Sequence, residues 1–365
     1  MKQFTLRTSI LSLTLFALCL FSCQKDDIQE PAPVAKGKYE NGFFIVNEGW
    51  FGHGTGEVNF YSYDTGKLTD SIFKRENPTK DLNPASSTLQ FGSIYKGNMY
   101  LVSKVGGPVV VVDPNTFKEK GRIDAKGGND WRAFLGIDEN TGLLSSSSGV
   151  YMLNLNTMST NNKLVGADGQ IGDMLKAGKY IFMHSATNGM LIFNADDYSL
   201  NQKVKNVTMG FVQTPNGKVW YTGGKYLYQI DPQTLVKDSV DLKFTTYASW
   251  GAWHPSSIVA STKENAVYLL KNASFSGGSE VYKYVSGNNA SIDAPLITNP
   301  AKQIFYGKGI GFDSKQNQII IQTVQSGFGA NFAINNLFFY DPAGNLKKTI
   351  AYDGYYFPSV TVFNQ

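Results

Sequence analysis

Val58-Asn-Phe-Tyr-Ser-Tyr-Asp64 runs into Thr-Gly-Lys-Leu and then into Thr69 to Phe73: an apolar strand, a turn opened by an acid, and a second, more polar strand. The same unit returns six times, with Asn154 and Asn194 in place of the acid in two copies and a degenerate Val285 in another. The copies are Val109 to Asp113 with Lys118 to Ile123, Val150 to Asn154 with Asn161 to Val165, and Met190 to Asn194 with Leu200 to Val204. Then come Leu227 to Asp231 with Val236 to Val240, Val281 to Val285 with Ala290 to Leu296, and Leu337 to Asp341 with Leu346 to Ile350. Self-similarity at tens of residues marks stacked supersecondary units. From Asp64 to Asp341 the six steps average about 46 residues, the length of a four-stranded propeller blade.

The runs Asp113-Pro-Asn-Thr, Asp231-Pro-Gln-Thr and Asp341-Pro-Ala-Gly share one physical reason. Aspartate bonds its own backbone two residues on, and proline presets the next φ for a tight turn. In every repeat but the first, two further strands precede the marked pair, so a blade reads A, B, C, D from its start. In the second blade these are Phe91 to Tyr95 and Met99 to Ser103; in the fourth, Asp173 to Leu175 and Tyr180 to His184; in the seventh, Ile310 to Asp313 and Gln318 to Thr323.

Only the first repeat lacks an A strand, opening on Phe43 to Asn47. One strand, Ser359 to Phe363, is left over at the far end. Pairing the two closes a ring and removes exposed sheet edges. The expected fold class is all-β, a seven-bladed β-propeller closed by the C-terminal strand over residues 42–365.

Bulk composition agrees. The 37 glycines among 365 residues, with β-branched and aromatic runs and no long helical periodicity, favour an all-β chain. The formal charge of +4 gives no electrostatic case for nucleic acid. Residues 1–22 read as a secretory signal: Lys2 and Arg7 lead the apolar stretch Ile10 to Phe21, too short to span a bilayer. The ending Leu20-Phe21-Ser22-Cys23 resembles a bacterial lipobox, which makes Cys23 the lipidated first residue of the mature chain. The following Gln24-Lys25-Asp26-Asp27 resembles the export tag of surface lipoproteins in Bacteroidota, and residues 23–41 read as a flexible tether. Cys19 would leave with the signal, so no intramolecular disulfide is expected.

In a propeller the B to C and D to A loops share one face, and here they are the long ones. Four of the five tryptophans (Trp50, Trp131, Trp250, Trp253) fall in them, as do Phe51, Phe328 and Tyr355, while Trp220 sits in a B strand. His53 and His254 lie on the same loops, with His184 at the end of a B strand. Lys104, Asn129, Asp130, Arg132 and Asn188 supply polar groups. Clustered aromatics on one face mark a binding surface, although some loop aromatics plug the channel mouth instead. The candidate ligand residues are therefore Trp50, Phe51, His53, Lys104, Asn129, Asp130, Trp131, Arg132, Asn188, Trp250, Trp253, His254, Phe328 and Tyr355. No His-Glu-x-x-His, Gly-x-Ser-x-Gly, phosphate loop or calcium loop occurs, so no catalytic or metal-ligating residue is assigned. The acidic pair Asp196-Asp197 belongs to a turn on the opposite face.

Segments such as Val109-Val-Val-Val-Asp113-Pro-Asn-Thr and Leu227-Tyr-Gln-Ile-Asp231-Pro-Gln-Thr resemble the YncE-type seven-bladed propellers. The opening Phe43-Phe-Ile-Val-Asn-Glu-Gly49, with its Gly-rich loop and Val58-Asn-Phe-Tyr, resembles their lipoprotein branch in Bacteroidota, which includes the BtuG-type proteins. This resemblance implies a non-enzymatic outer-membrane lipoprotein that captures cobalamin or a related corrinoid as cargo, with no resident cofactor. It also implies a TonB-dependent, BtuB-like transporter as partner. Two other classes remain open from the residues: a lyase- or lactonase-type propeller enzyme acting on a saccharide, and a cell-surface interaction scaffold.

Overall fold

The computed structural model describes residues 37–54, 56–82, 86–128, 130–272, 277–327 and 329–364, and each repeat in it is a four-stranded antiparallel sheet. Cys23, Asn129 and Phe328 lie outside the described residues.

Blade 1 holds β1 (Gly42–Asn47), β2 (Glu57–Ser62) and β3 (Leu68–Thr69), followed by the short helix α1 (Ile72–Glu76). Blade 2 is β4 (Thr88–Tyr95), β5 (Asn98–Lys104), β6 (Val109–Val112) and β7 (Glu119–Ile123). Blade 3 is β8 (Trp131–Gly136), β9 (Thr141–Ser146), β10 (Gly149–Asn154) and β11 (Ser159–Asp168). Blade 4 is β12 (Ile171–Ala177), β13 (Tyr180–Ser185), β14 (Gly189–Asn194) and β15 (Leu200–Val204). Blade 5 is β16 (Met209–Gln213), β17 (Val219–Gly223), β18 (Tyr226–Ile230) and β19 (Lys237–Asp241). Blade 6 is β20 (Ile258–Ala260), β21 (Ala266–Lys271), β22 (Glu280–Val285) and β23 (Ile297–Thr298). Blade 7 is β24 (Gln303–Asp313), β25 (Gln318–Gln325), β26 (Ile334–Tyr340) and β27 (Leu346–Asp353), and the chain closes with β28 (Pro358–Asn364).

The leftover strand does what its surplus implied. β28 pairs with β1 in register, Phe43 opposite Phe363 and Ile45 opposite Thr361, which makes it the inner strand of blade 1. Inner strands of neighbouring blades touch all the way round, from β28 through β4, β8, β12, β16, β20 and β24. Among the described residues the core is seven buried apolar clusters, each filling one gap between neighbouring blades. A blade is apolar on both faces, so each needs two neighbours.

The acid-led turns form as the sequence dictates. Asp113 Oδ1 accepts the amides of Asn115 and Thr116 at 2.9 and 3.1 Å, and Asp231 Oδ1 those of Gln233 and Thr234 at 2.7 and 3.2 Å. Three elements differ from the sequence expectation. In blade 6 the outer strand is not Ala290 to Leu296: that stretch forms a 3-10 turn, Asn289–Ile292, which buries Ile292, and the strand shrinks to Ile297–Thr298. Pro295 has no N–H to give a ladder, and the turn lacks the Asp or Asn that opens its counterparts. In blade 1 the outer strand stops at Thr69, and α1 carries Ile72 and Phe73 into the core. In blade 7 the inner strand starts at Gln303, seven residues early, with a bulge between Phe305 and Ile310.

Candidate functional site

The B to C and D to A connections do share one face, but one of them runs into the channel mouth. The long connection between blades 5 and 6, residues 242–257, crosses to the far side. Lys104 Nζ of blade 2 donates to the Trp253 carbonyl at 3.0 Å, and Gln170 Nε2 of blade 4 to the Trp250 carbonyl at 2.9 Å. Ser256 donates twice to Asp173 Oδ2, from its amide at 3.0 Å and its hydroxyl at 2.5 Å. The Trp253 ring lies against Gly172, where an added Cβ would collide with its Nε1, and the Arg132 guanidinium sits 5.9 Å from the ring centroid.

Several expectations are corrected here. Trp253 is 2% exposed and Trp131 6%; the latter belongs to β8 and not to a loop. Arg132, also in β8, is buried and forms a two-pronged ion pair with Asp130, Nη2 to Oδ2 being 2.8 Å. His254 is buried with Nδ1 2.7 Å from the Pro255 carbonyl. His184 is buried, and its Nε2 donates to the Val207 carbonyl at 3.2 Å. Trp250 sits 4.6 Å from the His184 ring. The void lined by His184, Trp250, Trp253 and His254 is only about 10 Å³, too small for a ligand.

Lys104 is buried too. Its ammonium lies 3.7 Å from Glu48 Oε1, while Glu48 Oε2 accepts from Tyr306 Oη at 2.8 Å and Gln90 Nε2 at 3.1 Å. Burial pushes the Glu48 carboxyl up and the Lys104 ammonium down, against the attraction between them. The cluster joins blades 7, 1 and 2 to the plug, and every polar group in it is committed to a protein partner.

An open cavity lies on blade 1 instead. It measures about 400 Å³ and brings together Trp50, His53 and Tyr355 of the predicted set. Trp50 stacks with two rings, 4.1 Å from His53 and 4.8 Å from Tyr356. Tyr355 Oη is fixed by Ser71 Oγ at 2.8 Å and Asp70 Oδ2 at 3.2 Å. Asn47 lines the floor: its Nδ2 donates to the Ile45 and Glu57 carbonyls, and its buried Oδ1 has no hydrogen-bond partner among the described residues. Sequence reasoning missed Glu57, Ser71 and Lys74 in the wall, because residues 69–73 read as a strand and not as the approach to α1. Glu57 accepts the amides of Phe73 and Lys74 at 3.1 and 3.2 Å, capping that helix; burial holds its carboxyl above the usual range. The cavity therefore offers stacking and hydrogen bonds, with its carboxylate already spent on the backbone.

Phe51 stands 54% exposed beside this cavity. Val105, Tyr226, Tyr247 and Ile334 are also exposed, and each lies at or next to a connection on the same face. Asn188 lines a separate shallow cavity with Lys203 and Lys205.

A family model for a domain of unknown function, DUF5074, matches residues 41–364. The chain belongs to the DUF5074 family. No curated protein matches it. Among solved structures, this DUF5074 propeller is similar to a chain of the mitotic checkpoint complex, with TM-score 0.56 and 11% identity over 79% of this chain and 87% of that one. It is similar to dihydro-heme d1 dehydrogenase NirN in complex with DHE, with TM-score 0.56 and 11% identity over 91% and 77%. A protein of unknown function from Bacteroides caccae aligns with TM-score 0.47 and 10% identity over 88% and 98%. At such identities the first two likenesses show the fold alone.

Proposed function

We propose that this propeller is a binding module that captures a corrinoid at the Trp50 cavity and passes it to a TonB-dependent transporter without chemistry. The observation that carries this reading is the cavity itself: an indole fixed by stacking with His53 and Tyr356 belongs to one wall, and Asn47, whose Oδ1 has no hydrogen-bond partner among the described residues, lines it too. A corrinoid is broad, apolar across its ring and fringed with amide N–H donors, so it can lie against the aromatic wall formed by Trp50, Tyr355 and Tyr356 and give Asn47 a donor. Ring stacking fixes Trp50 before binding, which lowers the ordering cost. The apolar groups spread around the same face fit a protein partner laid over it.

Anchoring through Cys23 at the cell exterior belongs to the same proposal. Tyr39 donates its amide to Asn115 at 2.9 Å and Asn41 pairs with Asp64, so the domain begins at the turns opposite the cavity.

Calorimetric titration with cyanocobalamin, haem and common glycans tests the ligand. Cyanocobalamin should bind, Trp50→Ala and Tyr355→Ala should each weaken it about tenfold, and Asp196→Ala on the opposite face should leave it unchanged. Absence of any corrinoid response sinks the reading, and turnover of a saccharide in its place would favour a propeller enzyme.

A further inference from the structure

A second cavity, about 460 Å³, opens beside blade 6, lined by Thr245, Tyr247, Lys271, Asn272, Ser279 and Glu280. Tyr247 is 49% exposed, yet its backbone is held on both sides. The buried Asn272 side chain accepts the Tyr247 amide at 3.2 Å and donates to its carbonyl at 3.1 Å, and the preceding Thr246 amide donates to the Gly224 carbonyl at 2.8 Å. The ring is thus presented to solvent by a rigid base. An exposed tyrosine held this way has a flat apolar face available at little conformational cost.

The same cavity also holds an ion pair. Lys271 Nζ lies 2.7 Å from Glu280 Oε2, which also accepts from Tyr282 Oη at 3.2 Å. Lysine and glutamate side by side present a donor and an acceptor at neighbouring points, the arrangement that two adjacent hydroxyls satisfy together. Gly278 holds this geometry: its φ is +80°, and a side chain there would strike the Lys271 carbonyl.

We propose that this cavity is a saccharide subsite, a pyranose ring stacking on Tyr247 with vicinal hydroxyls bridging Lys271 and Glu280. A pyranose has an apolar face of C–H bonds and an equatorial edge of hydroxyls, which matches one apolar wall and one ionic wall. A wholly apolar ligand would leave the ion pair unanswered; a simple ion would leave the ring unused. The subsite shares no residue with the Trp50 cavity and does not rest on the corrinoid reading.

Saturation-transfer NMR with the methyl glycosides of glucose, galactose, mannose and N-acetylglucosamine tests it. At least one should show saturation concentrated on the ring protons of a single face. Its affinity should fall about tenfold in Tyr247→Ala, persist in Tyr247→Phe, and fall in Glu280→Gln. Tyr355→Ala in the other cavity should leave it untouched. Should Tyr247→Ala lower the melting temperature, Tyr247→Leu, which keeps bulk without a flat ring, makes the same comparison. No saturation of any of the four glycosides, or equal saturation in the ring-less variant, overturns the proposal.

Discussion

Glu48 and Lys104 show how much one side chain's meaning depends on where it is buried. In the sequence Lys104 is a polar rim residue; in the fold it is 6% exposed and clamps a carbonyl 149 positions away. Removing one partner of such a pair strands a charge, so Lys104→Met should cost about 3–5 kcal/mol. The double change with Glu48→Gln should recover most of it, as urea unfolding of the four proteins in a double-mutant cycle would report. A similar burial governs His184, whose pKa is depressed chiefly by desolvation. The native state then binds fewer protons than the unfolded one, so its stability is full above the ordinary value of 6.5 and is lost as pH falls below it. Melting curves between pH 7.5 and 5 should slope downward with acid, and His184→Phe should flatten part of that slope. Neither effect could be read from residue type, since histidines 184 and 254 look like rim groups until the loop over them is placed.

Among elements, the outcome turned on whether local chemistry was sufficient. The acid-led turns were legible because aspartate, proline and the next two amides act within four residues. The outer strands of blades 1 and 6 were not. An outer strand has one neighbour, so a helix turn or a proline can replace it at small cost, as α1 and the 3-10 turn before Ile297 do. Least legible was the connection over residues 242–257, which reads as an open loop and is a plug. Gly172→Ala would push the Trp253 ring from its seat; the expected cost is about 1–3 kcal/mol, with a red-shifted tryptophan emission as the indole meets water. By contrast Trp50→Ala, at a partly buried ring outside the seven core clusters, should change stability by less than about 1 kcal/mol, checked by the same unfolding curves.

For the whole molecule, ring closure carries the stability. β28 places Val360 and Val362 in the cluster between blades 1 and 2, and Ser359 Oγ donates to the Gln90 carbonyl at 2.7 Å, so one strand joins both sides of the seam. Deleting residues 358–365 exposes an edge of β1 and the neighbouring clusters together. The melting temperature should fall by roughly 10 °C or more; an unchanged melting curve by scanning calorimetry would refute closure as a source of stability. The recurrence of strand and acid-led turn was enough to determine seven blades, their strand order, the closing strand and which loops share a face, because each of these follows from periodicity and short-range hydrogen bonding. Which aromatics on that face meet solvent was decided only in three dimensions. Trp50 and Tyr247 stay partly open while Trp253 is sealed where its loop crosses to blades 2, 3 and 4, and Trp131 is sealed between blades 2 and 3, both through contacts between residues far apart in the chain.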